Sequence, residues 1–175
     1  MSTWGRTAAF RWKLRAVYQS LKLRDCQTFV QSGNVIFRTE ERDLVELAKR
    51  IENAIECKFG FHSDVILRTA AELRDVIARN PFAGQRDLEP RKFLVTFLAV
   101  DPGKEARSRL LAFKIEPDEV RAEARELYIY YANGLARPKL PWPAIEKVLK
   151  TSGTARNWNS VTKMLAIAEK LEASN

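Results

Sequence analysis

The chain predicts an α+β fold made of two similarly ordered halves with antiparallel sheets, and three observations carry that expectation. A helical stripe lies at residues 43–58, an almost unbroken apolar run at 93–100, and short strand-like segments are joined by turns between them. The length of 175 residues suits one sizeable domain or two small ones, since a unit of about 80 residues buries only a modest core.

Leu14, Val17, Tyr18 and Leu21 recur at helical spacing and predict an amphipathic helix over 11–22. Two short strands follow at 28–31 and 35–37, joined by Ser32-Gly33-Asn34, a turn in which Gly and Asn tolerate positive φ. The plainest helix covers 43–58. There Leu44, Leu47, Ala48, Ile51, Ile55 and Phe59 share one stripe, Asp43 and Glu46 stand as N-cap and its N3 partner, and Gly60 follows the end. Residues 63–67 read as a strand. Thr69 with Glu72 then opens a helix whose Leu73, Val76 and Ile77 face inward until Asn80-Pro81 stops it.

Residues 83–91, AGQRDLEPR, have loop composition and divide an N-terminal subdomain, 1–82, from a C-terminal one, 92–175, with a helical C-terminus. The apolar run 93–100 predicts a central strand buried on both faces, and Asp101-Pro102 starts a helix reaching about Phe113. Strands are expected at 119–124 and 126–131, ending at the Asn133-Gly134 turn. Residues 138–143, with three prolines and Trp142, are expected to be irregular, and helices to follow at 144–150 and 159–171. The element order is thus α-β-β-α-β-α, then β-α-β-β-α-α. A strand ahead of the first helix would complete a ferredoxin-like β-α-β-β-α-β order, so both halves read as β-α-β-β-α units with helices on one face, the first lacking or altering its first strand.

No run approaches the roughly 18 apolar residues that cross a bilayer, and residues 1–10 hold no apolar targeting core, so a cytoplasmic, membrane-free protein is expected. Cys26 and Cys57 read as reduced, mostly buried thiols. Net charge is +8, with +6 in residues 1–24, +4 in 137–175 and −2 in the rest. Basic termini attract phosphate-bearing partners, although exposed Lys and Arg also simply solvate helix faces.

The sequence offers no catalytic residue, metal site or cofactor. Its single histidine, His62, precedes Ser63 and Asp64, but consecutive strand residues point to opposite faces and cannot form a triad. One His and two distant Cys make no zinc set, and no glycine-rich phosphate loop occurs. Carboxylates brought together only by folding leave an acid-base enzyme open.

Three further segments are not explained by composition: FVQSGNVIF (29–37), ELRDVIARNPF (72–82), and LYIYYANGLARPKL with TARNWNSVTKML (127–140 and 154–165). Together, in order and over residues 13–171, they resemble the bacterial family known as domain of unknown function 1697. The resemblance implies a small cytoplasmic α+β protein and carries over no reaction, cofactor or catalytic residue. Members of the family open with a hydrophobic strand and a glycine-bearing loop of the kind ALLRGINVGG, whereas this chain reads MSTWGRTAAFRW; either the N-terminus has diverged or the chain starts inside the usual domain.

Two groups of residues are candidate ligand or anion contacts. Gln31, Ser32, Gly33 and Asn34 form a polar turn. Arg156, Asn157 and Trp158, with Lys139 and Lys163 nearby in sequence, combine a guanidinium, an amide and a stacking surface just before a helix. The bland reading of the second group has Trp158 packed on the core and Arg156 exposed. Two functions follow: a non-catalytic binding module for a polyanion or nucleotide, or a small-molecule enzyme with a cleft between the two subdomains. An unpaired sheet edge would let copies of the chain associate.

Overall fold

Asp43 caps the helix that the sequence marks most plainly: its carboxylate accepts from the Val45 and Glu46 amides at 3.0 and 2.9 Å. A computed structural model of the chain describes residues 8–29, 33–84, 88–135 and 140–174. It divides into two compact units, one of the described residues up to Ala70 together with those from Met164, the other of Ala71–Lys163. No helix among the described residues is long and apolar enough to cross a membrane.

In the first unit, α1 (Ala8–Ser20) is followed by β1 (Arg24–Phe29), β2 (Asn34–Arg38) and α2 (Leu44–Phe59). The two strands pair antiparallel, Phe29 opposite Asn34 and Gln27 opposite Ile36. The ladder slips between Arg24 and Gln27, where Asp25 sits at φ 53. Leu14, Val17 and Tyr18 of α1 pack with Cys26 and with Leu47, Ile51 and Ile55 of α2, and Tyr18 lies 5.4 Å from the Phe37 ring. Gly60 ends α2 at φ 75, its amide donating 2.8 Å to the Glu56 carbonyl.

The strand expected at 63–67 is absent. A strand exists only through a ladder, and none of the described residues pairs with this segment. Val65 and Leu67 still pack on the core, and the Val65 amide donates 2.8 Å to Glu52. The first strand that the sequence reading finds lacking or altered would precede α1, and residues 1–7 lie outside the described residues.

The second unit holds α3 (Ala70–Ala78, from its second residue), β3 (Phe93–Leu98), α4 (Gly103–Leu111), β4 (Glu119–Glu123), β5 (Glu126–Tyr130), α5 (Trp142–Leu149), β6 (Gly153–Asn157) and the start of α6 (Trp158–Ala173). All neighbouring strands are antiparallel in the order β4-β5-β3-β6, so β3 is central, as its apolar run predicts. Two local expectations are corrected. The sequence predicts no strand at 153–157, yet β6 forms there, its exposure alternating residue by residue along the sheet edge. Trp142 and Pro143 belong to α5 because proline at the first turn of a helix gives up an amide that has no partner there.

Alternation along the strands sorts the sheet into two faces. Leu98, Val120, Leu127 and Ile129 pack with Leu110 of α4 and with Ile145 and Leu149 of α5. The other face carries Phe93, Val95, Tyr128, Arg121 and Arg156, with Tyr128 opposite both Val95 and Arg121, and Val95 opposite Arg156. Helices on one face only were expected, yet α3 covers part of this second face. The Tyr128 hydroxyl donates 2.8 Å to the Val76 carbonyl, the Phe82 ring meets Phe93 edge-on at 5.4 Å, and Arg125 pairs with Glu72. The described residues of 83–91, read as a linker, lie within the unit that contains α3.

Candidate functional site at the β6–α6 junction

The alternation of β6 places Thr154 and Arg156 on the same face, opposite Phe97 and Val95 of β3. Arg156 Nη1 donates to the Thr154 hydroxyl and, at 2.9 Å, to the Ala155 carbonyl. Burial lowers the Arg156 pKa from its ordinary value, but a guanidinium remains a cation at any physiological pH. Arg156 is thus half-buried and held, not the exposed arginine of the bland reading.

Asn157 is the N-cap of α6, its side-chain oxygen accepting from the Ser160 amide at 2.8 Å. Trp158, the first helical residue, stacks on Phe93 with centroids 4.8 Å apart, and Phe93 stacks in turn on Tyr128 at 6.4 Å. Two members of the triplet therefore have structural duties, and the guanidinium is the member suited to a ligand. Thr154 is the residue that the sequence reading missed. The strand period aligns residues 154 and 156, a signal that exists only once 153–157 is known to be a strand.

Lys163 is exposed on α6, five residues beyond Trp158. Gln31, Ser32 and Lys139 lie outside the described residues. Gly33 occupies the β1–β2 turn at φ 75, and Asn34 is the buried first residue of β2. Both belong to the other unit, whereas Arg156, Asn157, Trp158 and Lys163 stand on one continuous stretch of structure.

Elsewhere, His62 Nε2 lies 3.2 Å from Asp64 Oδ1 and its Nδ1 3.7 Å from Glu56, on an exposed segment. Cys26 is buried, with burial pushing its thiol pKa up, whereas Cys57 is exposed on α2, against the expectation of two mostly buried thiols. No group of three His, Cys, Asp or Glu among the described residues gathers as metal ligands.

Residues 5–128 match the family described as protein of unknown function, DUF1697. The chain belongs to the DUF1697 family. A solved structure described as a conserved bacterial protein from Streptococcus pneumoniae shares the fold of this DUF1697 chain. The TM-score is 0.65, over 91% of this chain and 88% of that one, at 15% identity. No curated protein matches. The DUF1697 match stops before β6, so Arg156 and its neighbours are read from their own geometry.

Proposed function

We propose that this DUF1697 protein is a non-catalytic binding module for a phosphate-bearing partner, a nucleotide or nucleic acid, and that it contacts the phosphate at the β6–α6 junction. The observation that carries this reading is the anchoring of the Arg156 guanidinium by Thr154 and Ala155 beside the start of a 16-residue helix. A guanidinium held in one plane suits phosphate recognition, and the first-turn amides of a helix favour an anion. Lys163 adds a second cation on α6, and the net charge of +8 attracts anions from a distance. Trp158 and Asn157 support the junction by packing and capping instead of touching the ligand. The reading places the protein in the cytoplasm.

Equilibrium binding of a nucleoside triphosphate and of inorganic tripolyphosphate, at low and at physiological salt, tests it. Binding that weakens with salt and falls about tenfold in Arg156→Ala is expected, as for the loss of charge-assisted hydrogen bonds. Unchanged binding by Arg156→Ala overturns the site. Salt-insensitive binding of one uncharged metabolite favours the small-molecule enzyme instead.

A further inference from the structure

Tryptophan is seldom left in water, yet Trp12 of α1 is 75% exposed, more than any other large hydrophobic side chain among the described residues. Its position follows from the helix period. Leu14, Val17 and Tyr18 are buried in the core of the first unit, and at about 100° per residue Trp12 emerges on the opposite side. Arg15 and Gln19 continue its stripe three and seven residues on, Lys13 lies on its other flank, and all three are exposed. Neither Lys13 nor Arg15 forms an ion pair with a described residue. Residues 1–24 hold six basic side chains and no acidic one.

We propose that this outer face of α1, centred on Trp12 between Lys13 and Arg15, binds single-stranded nucleic acid. A flat ring with a cation on either side meets the two demands of such a strand, a surface for a base to stack on and positive charge for the flanking phosphates. The alternatives fit less well. A helix that lies in a lipid surface buries a broad apolar face, whereas Leu14, Val17 and Tyr18 of α1 are already spent in the core and, among the side chains described for α1, a single ring stands outside. A second copy would bring the same positive charge against itself. The inference does not rest on the Arg156 reading, since the two sets of residues lie in different units.

The test is fluorescence anisotropy of a labelled 12-nucleotide single strand with the full chain, across a salt series. Trp12→Ala is expected to weaken binding about 5- to 150-fold, the range for loss of one stacked base. Lys13→Ala with Arg15→Ala is expected to reduce the slope of log affinity against log salt by about 1.4, for two single-strand phosphates. Both variants change exposed residues, and unchanged circular-dichroism melts confirm that they fold; should Trp12→Ala fail to fold, the double variant decides. Unchanged affinity in Trp12→Ala overturns the proposal. So does binding of the wild-type chain to anionic phospholipid vesicles and not to the oligonucleotide, which would assign the face to a lipid surface, and so does concentration-dependent self-association lost in Trp12→Ala. Arg156→Ala separates the two readings: oligonucleotide binding that survives it but not Trp12→Ala supports this site and counts against the β6–α6 junction.

Discussion

Trp158 stacks on Phe93 with ring planes inclined by 27°, so the first residue of α6 is pinned to the first residue of β3. The stack sets where the helix starts and holds the end of the edge strand β6 against the central strand, with Asn157 opposite Leu94. Phe93 is itself buried among Phe82 and Tyr128, so the indole adds to an aromatic group that is already fixed.

Replacing Trp158 with Ala removes that half-buried ring and its aromatic pairing. A cost of about 2–4 kcal/mol is expected, below that of a fully buried Trp, while Trp158→Phe keeps most of the stability. Urea unfolding followed by circular dichroism measures it, and an unshifted midpoint for Trp158→Ala would mean that the stack is idle.

The contrast between β6 and residues 63–67 shows what was legible in the sequence. Residues 63–67 have the β-branched composition of a strand but no ladder partner among the described residues, whereas Gly153–Asn157 lacks that composition and is a strand because β3 pairs with it. Strand identity at an edge is conferred by the neighbour, which the local sequence does not contain. By contrast α2 and β3 are self-announcing: Asp43, Gly60 and the Leu47-Ile51-Ile55 stripe carry the first, and continuous burial from Val95 to Leu98 carries the second. At the candidate site the residue types were legible and their duties were not. Asn157 reads as a ligand amide until Ser160 is seen to use it, and α3 reads as part of the N-terminal half until Val76 is found accepting from Tyr128, 52 residues away.

Tyr128 should make the second unit sensitive to alkali. Burial, followed by the charge of Glu126, pushes its phenol up to about 12 from 10.0. A phenol that holds its proton longer when folded contributes stability that is intact below pH 10.0 and is lost as pH rises through about 12. Tyr128→Phe should cost about 1 kcal/mol at neutral pH, for the lost bond to Val76, and should flatten the alkaline decline. Some decline will persist through Tyr18, whose phenol burial also pushes up. Denaturant midpoints at pH 7, 10 and 11.5 distinguish the outcomes, and parallel wild-type and Phe curves above pH 10 would refute the assignment.

His62 should act in the opposite pH range. Its hydrogen bond to Asp64 raises its pKa above 6.5, with the charges of Asp64, Glu56 and Glu52 adding to the effect. A histidine with a raised folded pKa contributes stability that is present below its unfolded value and disappears as pH rises through the folded one. The gap in unfolding midpoint between wild type and His62→Asn should therefore be wider at pH 5.5 than at pH 8, and should shrink in high salt because the cluster is exposed. An equal gap at both pH values would show that the imidazole contributes only through packing.

Arg156 allows structure and binding to be separated, because the Thr154 hydroxyl accepts from the guanidinium while the Thr154 backbone carries the pairing with Phe97. Arg156→Ala discards a half-buried side chain and its bonds to Thr154 and Ala155, so a loss of about 1–2 kcal/mol is expected, above the roughly 0.5 kcal/mol typical of a surface arginine. Thr154→Val keeps the strand, since valine suits a β-ladder at least as well as threonine, yet it removes the acceptor that fixes Nη1. If Arg156 serves a phosphate-bearing ligand, Thr154→Val should leave the denaturant midpoint nearly unchanged and weaken tripolyphosphate binding, whereas Arg156→Lys should retain part of that binding through its charge alone. If Arg156 is only a structural residue, stability will follow the hydroxyl and the guanidinium alike while affinity for the anion stays constant across all three variants. Measuring midpoint and affinity on the same preparations resolves the two, and constant affinity would remove the β6–α6 junction from consideration as a binding site.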